Sequence, residues 1–140
     1  MFILDTDHIS LFQRNNVQVS ARIFSTPPLE LATTIITAEE QLRGRLERTR
    51  RARSDEEIVR AYRNLLATLL YFQSITVVEF DEQAQTIFKT LRTQKTRIGT
   101  QDLRIAAIAL SQKATLVTRN RRDFEMVPSL RIEDWTLPQA

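Results

Sequence analysis

The sequence predicts an α/β domain built on a largely parallel sheet, and two observations carry that expectation. Short β-rich runs, "FILD", "LATTIIT", "SITVVEF", "ATLVTRN" and "LRIEDW", alternate with longer stretches whose apolar residues recur at helical spacing, the pattern of strand–helix–strand units. The second run is β-branched and almost uncharged, as a strand buried on both faces must be.

Taken in order, "FILD" is the first strand. "HISLFQRN" and "VQVSARIFS" follow as helices separated near Asn15 and Asn16, and Pro27 and Pro28 stop the second. "LATTIIT" is the second strand, with a helix from about Ala38 through an arginine-rich run. Ser54 and Glu57 form a capping-box pattern that opens "DEEIVRAYRNLLATLLYF", the longest amphipathic helix. Its Ile58, Tyr62, Leu65, Leu66, Leu69 and Leu70 share one face, which packs on the core or offers a groove to a partner segment. "SITVVEF" is the third strand, and Asp81 caps the helix "EQAQTIFKTLR". "KTRIG" is a loop. "TQDLRIAAIALSQK" is an Ala-rich helix suited to close packing on the sheet, "ATLVTRN" the fourth strand, "DFEMV" a short turn or helix ended by Pro128, and "LRIEDW" the fifth strand.

The 140 residues, 42% hydrophobic, fit one domain over 1–140. No stretch approaches the roughly 18 consecutive apolar residues of a membrane span, and the start shows no export signal, so the cytoplasm is the expected location. The absence of cysteine excludes disulfides, thiolate catalysis and cysteine zinc sites, and the single histidine, His8, leaves histidine metal clusters and Ser/His/Asp triads little room. Net charge is +3. Arginines dominate it: Arg43, Arg45, Arg48, Arg50, Arg51 and Arg53 lie within "RGRLERTRRARS". They suit phosphate recognition, or a solvated helix end complementing the dipole.

Four acids stand at comparable addresses. Asp5 ends the first strand, Glu40 opens the helix after the second, Asp102 opens the Ala-rich helix and Asp123 follows the fourth strand. In a parallel sheet these addresses share one edge. Carboxylates converging there repel one another and raise their pKa values unless a cation neutralises them. Mg²⁺ or Mn²⁺ is the natural ion, and such a site suits in-line attack of water on a phosphodiester. Each acid also has a plainer role: Thr37 with Glu40 matches a capping box, the helix dipole favours Asp102, Asp123 can cap "FEMV", and Asp5 or Asp7 can cap the first helix. Thr118 and Asn120 add polar groups at the fourth strand end, where Asn120 can hydrogen-bond a carboxylate.

The pieces "ILDTD", "TAEEQLRG", "GTQDLRIAAIAL" and "LVTRNRRDF" followed by "LRIEDW", in that order over nearly the whole chain, resemble a PIN domain of the VapC-type toxin ribonucleases. The resemblance implies a three-layer α/β/α sandwich with a central, mainly parallel five-stranded sheet. It also implies a metal-dependent endoribonuclease, usually dimeric, silenced by a cognate antitoxin. Asp5, Glu40, Asp102 and Asp123 would be its metal-binding and catalytic acids. Glu40 is preferred to Glu39 because it lies three residues after Thr37 and four before Gly44, as in the family's T-x-x-E-L-x-x-G pattern, with Gln41 here in place of Leu. Asp7 stands where many members carry Asn, and Thr118 and Asn120 match the polar positions before the fourth acid. Arg43, with Arg119, Arg121 and Arg122 beside the acids, is expected to grip RNA phosphates.

Two other readings compete. "FILDTDHIS" also resembles the D-x-D start of haloacid-dehalogenase-type phosphatases, with Asp5 as nucleophile and Asp7 as general acid, although the later acids do not follow that pattern. A non-catalytic RNA-binding PIN domain would use the basic helix alone.

Overall fold

A computed structural model of the chain describes residues 1–94 and 97–138. Five strands, β1 (Phe2–Leu4), β2 (Leu31–Thr34), β3 (Thr76–Val78), β4 (Thr115–Val117) and β5 (Arg131–Glu133), form one sheet in the order β3-β2-β1-β4-β5. Every pairing is parallel, with Ile3 opposite both Ala32 and Leu116. The chain winds outward from β1 through β2 to β3 and then crosses to β4 and β5. The direction of winding therefore reverses between β1 and β4, and the carboxyl ends of those strands open onto the crevice where such sheets bind ligands.

Among the described residues seven α-helices flank the sheet: α1 (Thr6–Gln13), α2 (Val17–Phe24), α3 (Ile35–Arg51), α4 (Asp55–Ser74), α5 (Glu82–Thr93), α6 (Thr100–Ser111) and α7 (Arg121–Phe124). Successive strand residues point to opposite faces, so each strand feeds two cores. Ile3, Ala32 and Leu116 join α3, α5, α6 and α7 through Ile36, Phe88, Ile105, Ile108 and Phe124. Leu4, Leu31 and Val117 join α1 and α2 through Ile9, Val19 and Ile23, with Trp135 sealing that side. The result is three layers. Ala106, Ala107 and Ala109 are wholly buried in α6, small side chains that let this helix lie close against its neighbours. Burying each large aliphatic side chain of these cores contributes about 1.5–3 kcal/mol.

Local signals place most boundaries. Asn15 takes φ 61, the left-handed conformation that asparagine tolerates, and Asn16 then caps α2 by accepting from the Val19 amide at 3.0 Å. Ser54 accepts from the Glu57 amide at 3.1 Å, and Asp81 accepts from the Ala84 amide at 2.9 Å. Lys95 and Thr96 of the expected "KTRIG" loop lie outside the described residues.

Two expectations need correction, and one left open between two outcomes is decided. "LATTIIT" does not stay extended to Thr37: β2 ends at Thr34 and α3 starts at Ile35, ahead of the expected Ala38. Thr34 is the N-cap, its hydroxyl accepting from the Thr37 amide at 3.1 Å, and this cap overrides the β-propensity of Ile35 and Ile36. The Thr37–Glu40 capping box therefore does not form. Likewise α7 begins at Arg121 with Asn120 as N-cap, so Asp123 lies within that helix and caps nothing. Finally, the apolar stripe of α4 does not pack on the core. Tyr62 is 58% and Leu66 56% exposed, with Ile58, Leu69 and Leu70 also exposed, while Ala61 and Thr68 on another face are buried.

Candidate active site

The site grows from the carboxyl ends of β1 and β4. The Asp5 amide donates to Val117 O at 2.9 Å, extending the strand pairing by one residue and fixing the backbone of the first acid. Asp5 is 6% exposed and is the N-cap of α1. One carboxylate oxygen accepts from the Thr6 amide and the other from the Thr118 hydroxyl, each at 2.8 Å. Burial, then the nearby charge of Asp7, pushes the Asp5 carboxyl up to about 7, with Asp102 adding to the same effect. Thr118 is held in turn, its amide donating to Glu133 O at 2.9 Å and its hydroxyl accepting from the Asn120 amide at 3.0 Å.

Asp7, in the first turn of α1, accepts from the Arg119 amide at 3.1 Å and from His8 Nδ1 at 2.6 Å. Burial raises its carboxyl, but the His8 hydrogen bond and the Arg119 amide outweigh that, and its pKa lies below the usual value.

Glu40 reaches the site from the second turn of α3, where its Oε2 accepts from the Thr6 hydroxyl at 3.1 Å; that hydroxyl is also 3.1 Å from Thr37 Oγ1. Glu39 points elsewhere, pairing with Arg43 at 2.8 Å and accepting from Gln101 Nε2 at 3.0 Å. Asp102 sits half-buried in the first turn of α6, behind the N-cap Gly99. Burial, followed by the charges of Glu40, Asp123 and Asp7, raises its carboxyl. Asp123 completes the group from α7, with its Oδ2 accepting from Asn120 Nδ2 at 3.1 Å. The fold thus sets Asp102 within electrostatic reach of Glu40, Asp123, Asp7 and Asp5, and Asp5 within reach of Asp7.

Whether this donor set suits a cation is answered by Asp102. Among the described residues no hydrogen-bond donor satisfies its carboxylate, although three other acids bear on it. A half-buried carboxylate in that position is stabilised by a hard divalent ion, which takes oxygen ligands. Among the described residues no three His, Asp or Glu side chains stand arranged to hold a metal ion by themselves.

The expected arginines are only partly placed at the site. Arg43 is paired with Glu39, and Arg121 with Glu125 at 3.2 Å. Arg119 contributes its backbone amide, while its side chain and that of Arg122 are exposed. Instead, Arg14, Arg45 and Arg48 line a groove of about 310 Å³ between α1 and α3 that begins at Glu40 and is floored by Ser10, Gln13 and Gln41. Arg45 is held by its Nε–H donating to Thr68 at 3.1 Å. Burial, with the Arg48 charge beside it, lowers the Arg45 pKa.

The sequence reading gave Thr6 and His8 no part in the site and Thr37 only a place in a pattern. Thr6 and Thr37 steer Glu40, and the middle threonine of "DTD" was the available signal. His8, fully buried, joins Asp7 to the Trp135 amide, for which the sequence held no signal.

In a parallel α/β domain the switch point where these acids gather is the place such sheets bind ligands, and the comparisons make the class specific. The PIN domain profile matches residues 2–130. The chain belongs to the PIN domain family, in its VapC branch. It is 30% identical over 140 residues to a tRNA(fMet)-specific endonuclease VapC of Shigella flexneri, covering 96% of this chain and 98% of that one. It is 29% identical to a Ribonuclease VapC1 of Haemophilus influenzae strain R2866, covering 97% and 98%. A DNA-bound VapBC structure from Salmonella typhimurium superposes with a TM-score of 0.78 at 28% identity, covering 96% of this chain and 97% of that one. This membership removes the phosphatase reading of Asp5 and Asp7.

Proposed function

We propose that this chain is a metal-dependent endoribonuclease, the toxin of a toxin–antitoxin pair, acting as one domain over residues 1–140. The observation that carries this reading is the convergence of Asp5, Glu40, Asp102 and Asp123 at one sheet edge, with Asp102 raised in pKa and lacking any donor among the described residues. Relatives named as ribonucleases and a tRNA endonuclease support RNA as the substrate.

In this reading the four acids would hold Mg²⁺ or Mn²⁺, which would neutralise phosphate charge and make a water easier to deprotonate for attack on phosphorus. Thr118 and Thr6 keep Asp5 and Glu40 in fixed rotamers, so the ligands are preorganised. Asn120 does the same for Asp123. Attack of water with departure of the 3′ oxygen leaves 5′-phosphate and 3′-hydroxyl ends. Arg14, Arg45 and Arg48 guide the RNA backbone along their groove toward Glu40, and Arg43, Arg119, Arg121 and Arg122 contribute at its margins, giving salt-sensitive affinity. A cognate antitoxin and a second copy of the chain are the protein partners, and the exposed stripe of α4 is the face on which the antitoxin helix docks. The cytoplasm is the location consistent with this role. Among the described residues no helix is long and apolar enough to cross a membrane.

The test is cleavage of end-labelled structured RNA by the purified chain with Mg²⁺, Mn²⁺ or EDTA, beside Asp102→Asn. Metal-dependent internal cuts bearing 5′-phosphates, absent in the variant, are expected. Salt-sensitive RNA binding with no cutting by either protein would establish the non-catalytic reading instead.

A further inference from the structure

We propose that His8 is a positioning residue of the acid site, its imidazole clamping Asp7 to the backbone of the segment that follows β5. The assignment rests on the nuclease reading above.

The geometry is specific. His8 is wholly buried in the first turn of α1. Its Nε2 lies 3.1 Å from the Trp135 amide nitrogen, and an amide can only donate, so Nε2 carries the lone pair. The ring proton is then on Nδ1, 2.6 Å from Asp7 Oδ1, to which it donates. Both ring nitrogens are satisfied. Asp134 Oδ1, 3.7 Å from Nε2, is too distant for a hydrogen bond. Adjacent residues on a helix do not face each other, so the Asp7–His8 contact arises because the Trp135 amide holds the ring from the far side.

The clamp continues at both ends. Beyond Asp7, its other oxygen accepts from the Arg119 amide and lies 3.5 Å from the Thr118 hydroxyl that donates to Asp5. Beyond His8, Trp135 is 1% exposed and its ring packs on Phe2 with centroids 5.3 Å apart. The Trp135 indole N–H donates to Glu133 at 3.0 Å, and Arg22 both pairs with Glu133 at 3.2 Å and covers the Trp135 ring at 4.8 Å. A rigid connection thus runs from the end of β5 through His8 and Asp7 to the buried Asp5. If His8 only filled space in the core, its N–H would have no need to point at a carboxylate of the site. The clamp fixes the Asp7 rotamer, and with it the negative charge beside Asp5, throughout turnover.

Two substitutions separate the halves of the imidazole. His8→Asn can place an amide N–H where Nδ1 stands and loses the acceptor for Trp135. His8→Gln can place a carbonyl oxygen where Nε2 stands and loses the donor to Asp7. Each leaves one buried partner unpaired, so the two should lose similar Tm. His8→Gln, which loses the donor to Asp7 itself, should lose kcat by about 10- to 100-fold, and His8→Asn, which keeps that donor but loses its far anchor, should lose less, with KM on the same RNA little changed in both. Equal losses of kcat, or none in His8→Gln, would overturn the assignment while leaving the nuclease reading intact. A wild-type chain that cuts no RNA with any metal overturns that reading, and the positioning role with it. If neither variant folds, nitrogen NMR of the single histidine decides: an Nδ1–H tautomer supports the clamp, and an Nε2–H tautomer or a doubly protonated ring overturns it.

Discussion

Helix α6 has twelve residues and buries Leu103, Ile105, Ala106, Ala107, Ile108 and Ala109, whereas α4 has twenty and buries only Ala61 and Thr68. Both are amphipathic, yet one is locked between its neighbours and the other leaves Tyr62, Leu66, Leu69 and Leu70 in solvent. The difference matches what each helix carries. In the proposed site Asp102 stays in register with three other acids, and a helix packed on nearly all sides cannot shift without opening a cavity. The uncovered stripe of α4 is the face that the proposed function assigns to association, as exposed apolar patches often serve.

The sharpest way to test this contrast is on α6 itself. Asp102→Asn should lower RNA cleavage by about three orders of magnitude or more, measured as kcat/KM with saturating Mg²⁺. Tm should stay equal or rise, because the variant removes a carboxylate that burial and its neighbours disfavour. A parallel loss of Tm would show that the acid serves the fold instead.

Ile108→Ala, on the buried face of the same helix, should cost about 2–5 kcal/mol in urea unfolding.

Next in size is the pH dependence of the metal-free protein. Asp5 holds its proton up to about 7 when folded but only to its ordinary 3.8 when unfolded. Its contribution is therefore fully present at low pH and is lost as pH rises through that window, by a few kcal/mol, levelling off above it. Asp102 acts with the same sign, whereas Asp7, with a depressed pKa, contributes stability that is lost as pH falls. Thermal melts across this range should show a decline with rising pH that Asp5→Asn flattens and added Mg²⁺ offsets, since an ion that binds only the folded state stabilises it.

The smallest effect should come from α4. Leu66→Ser with Leu69→Ser should change unfolding free energy by no more than about 0.5 kcal/mol for each position while weakening capture of a co-expressed antitoxin. A loss comparable with Ile108→Ala would erase the distinction between the two helices.

The alternation of strands and helices, the break at Asn15 and Asn16, the caps at Ser54 and Asp81, and the four acids at strand ends and helix starts were legible in the sequence because each depends on residues close in the chain. Local rules also misled. Thr37 with Glu40 satisfies a capping box as well as Thr34 satisfies an N-cap, and only the length at which β2 pairs with β1 and β3 selected Thr34. Which of Glu39 and Glu40 turns to the acids followed from Thr6, 34 residues before Glu40. Arg43 pairs with Glu39 one helical turn away, while Arg14 joined Arg45 and Arg48 only because α1 packs on α3. The His8–Trp135 contact spans 127 residues. No periodicity encodes it, since the sheet order that brings the end of β5 to the start of α1 is fixed by burial summed over the whole core.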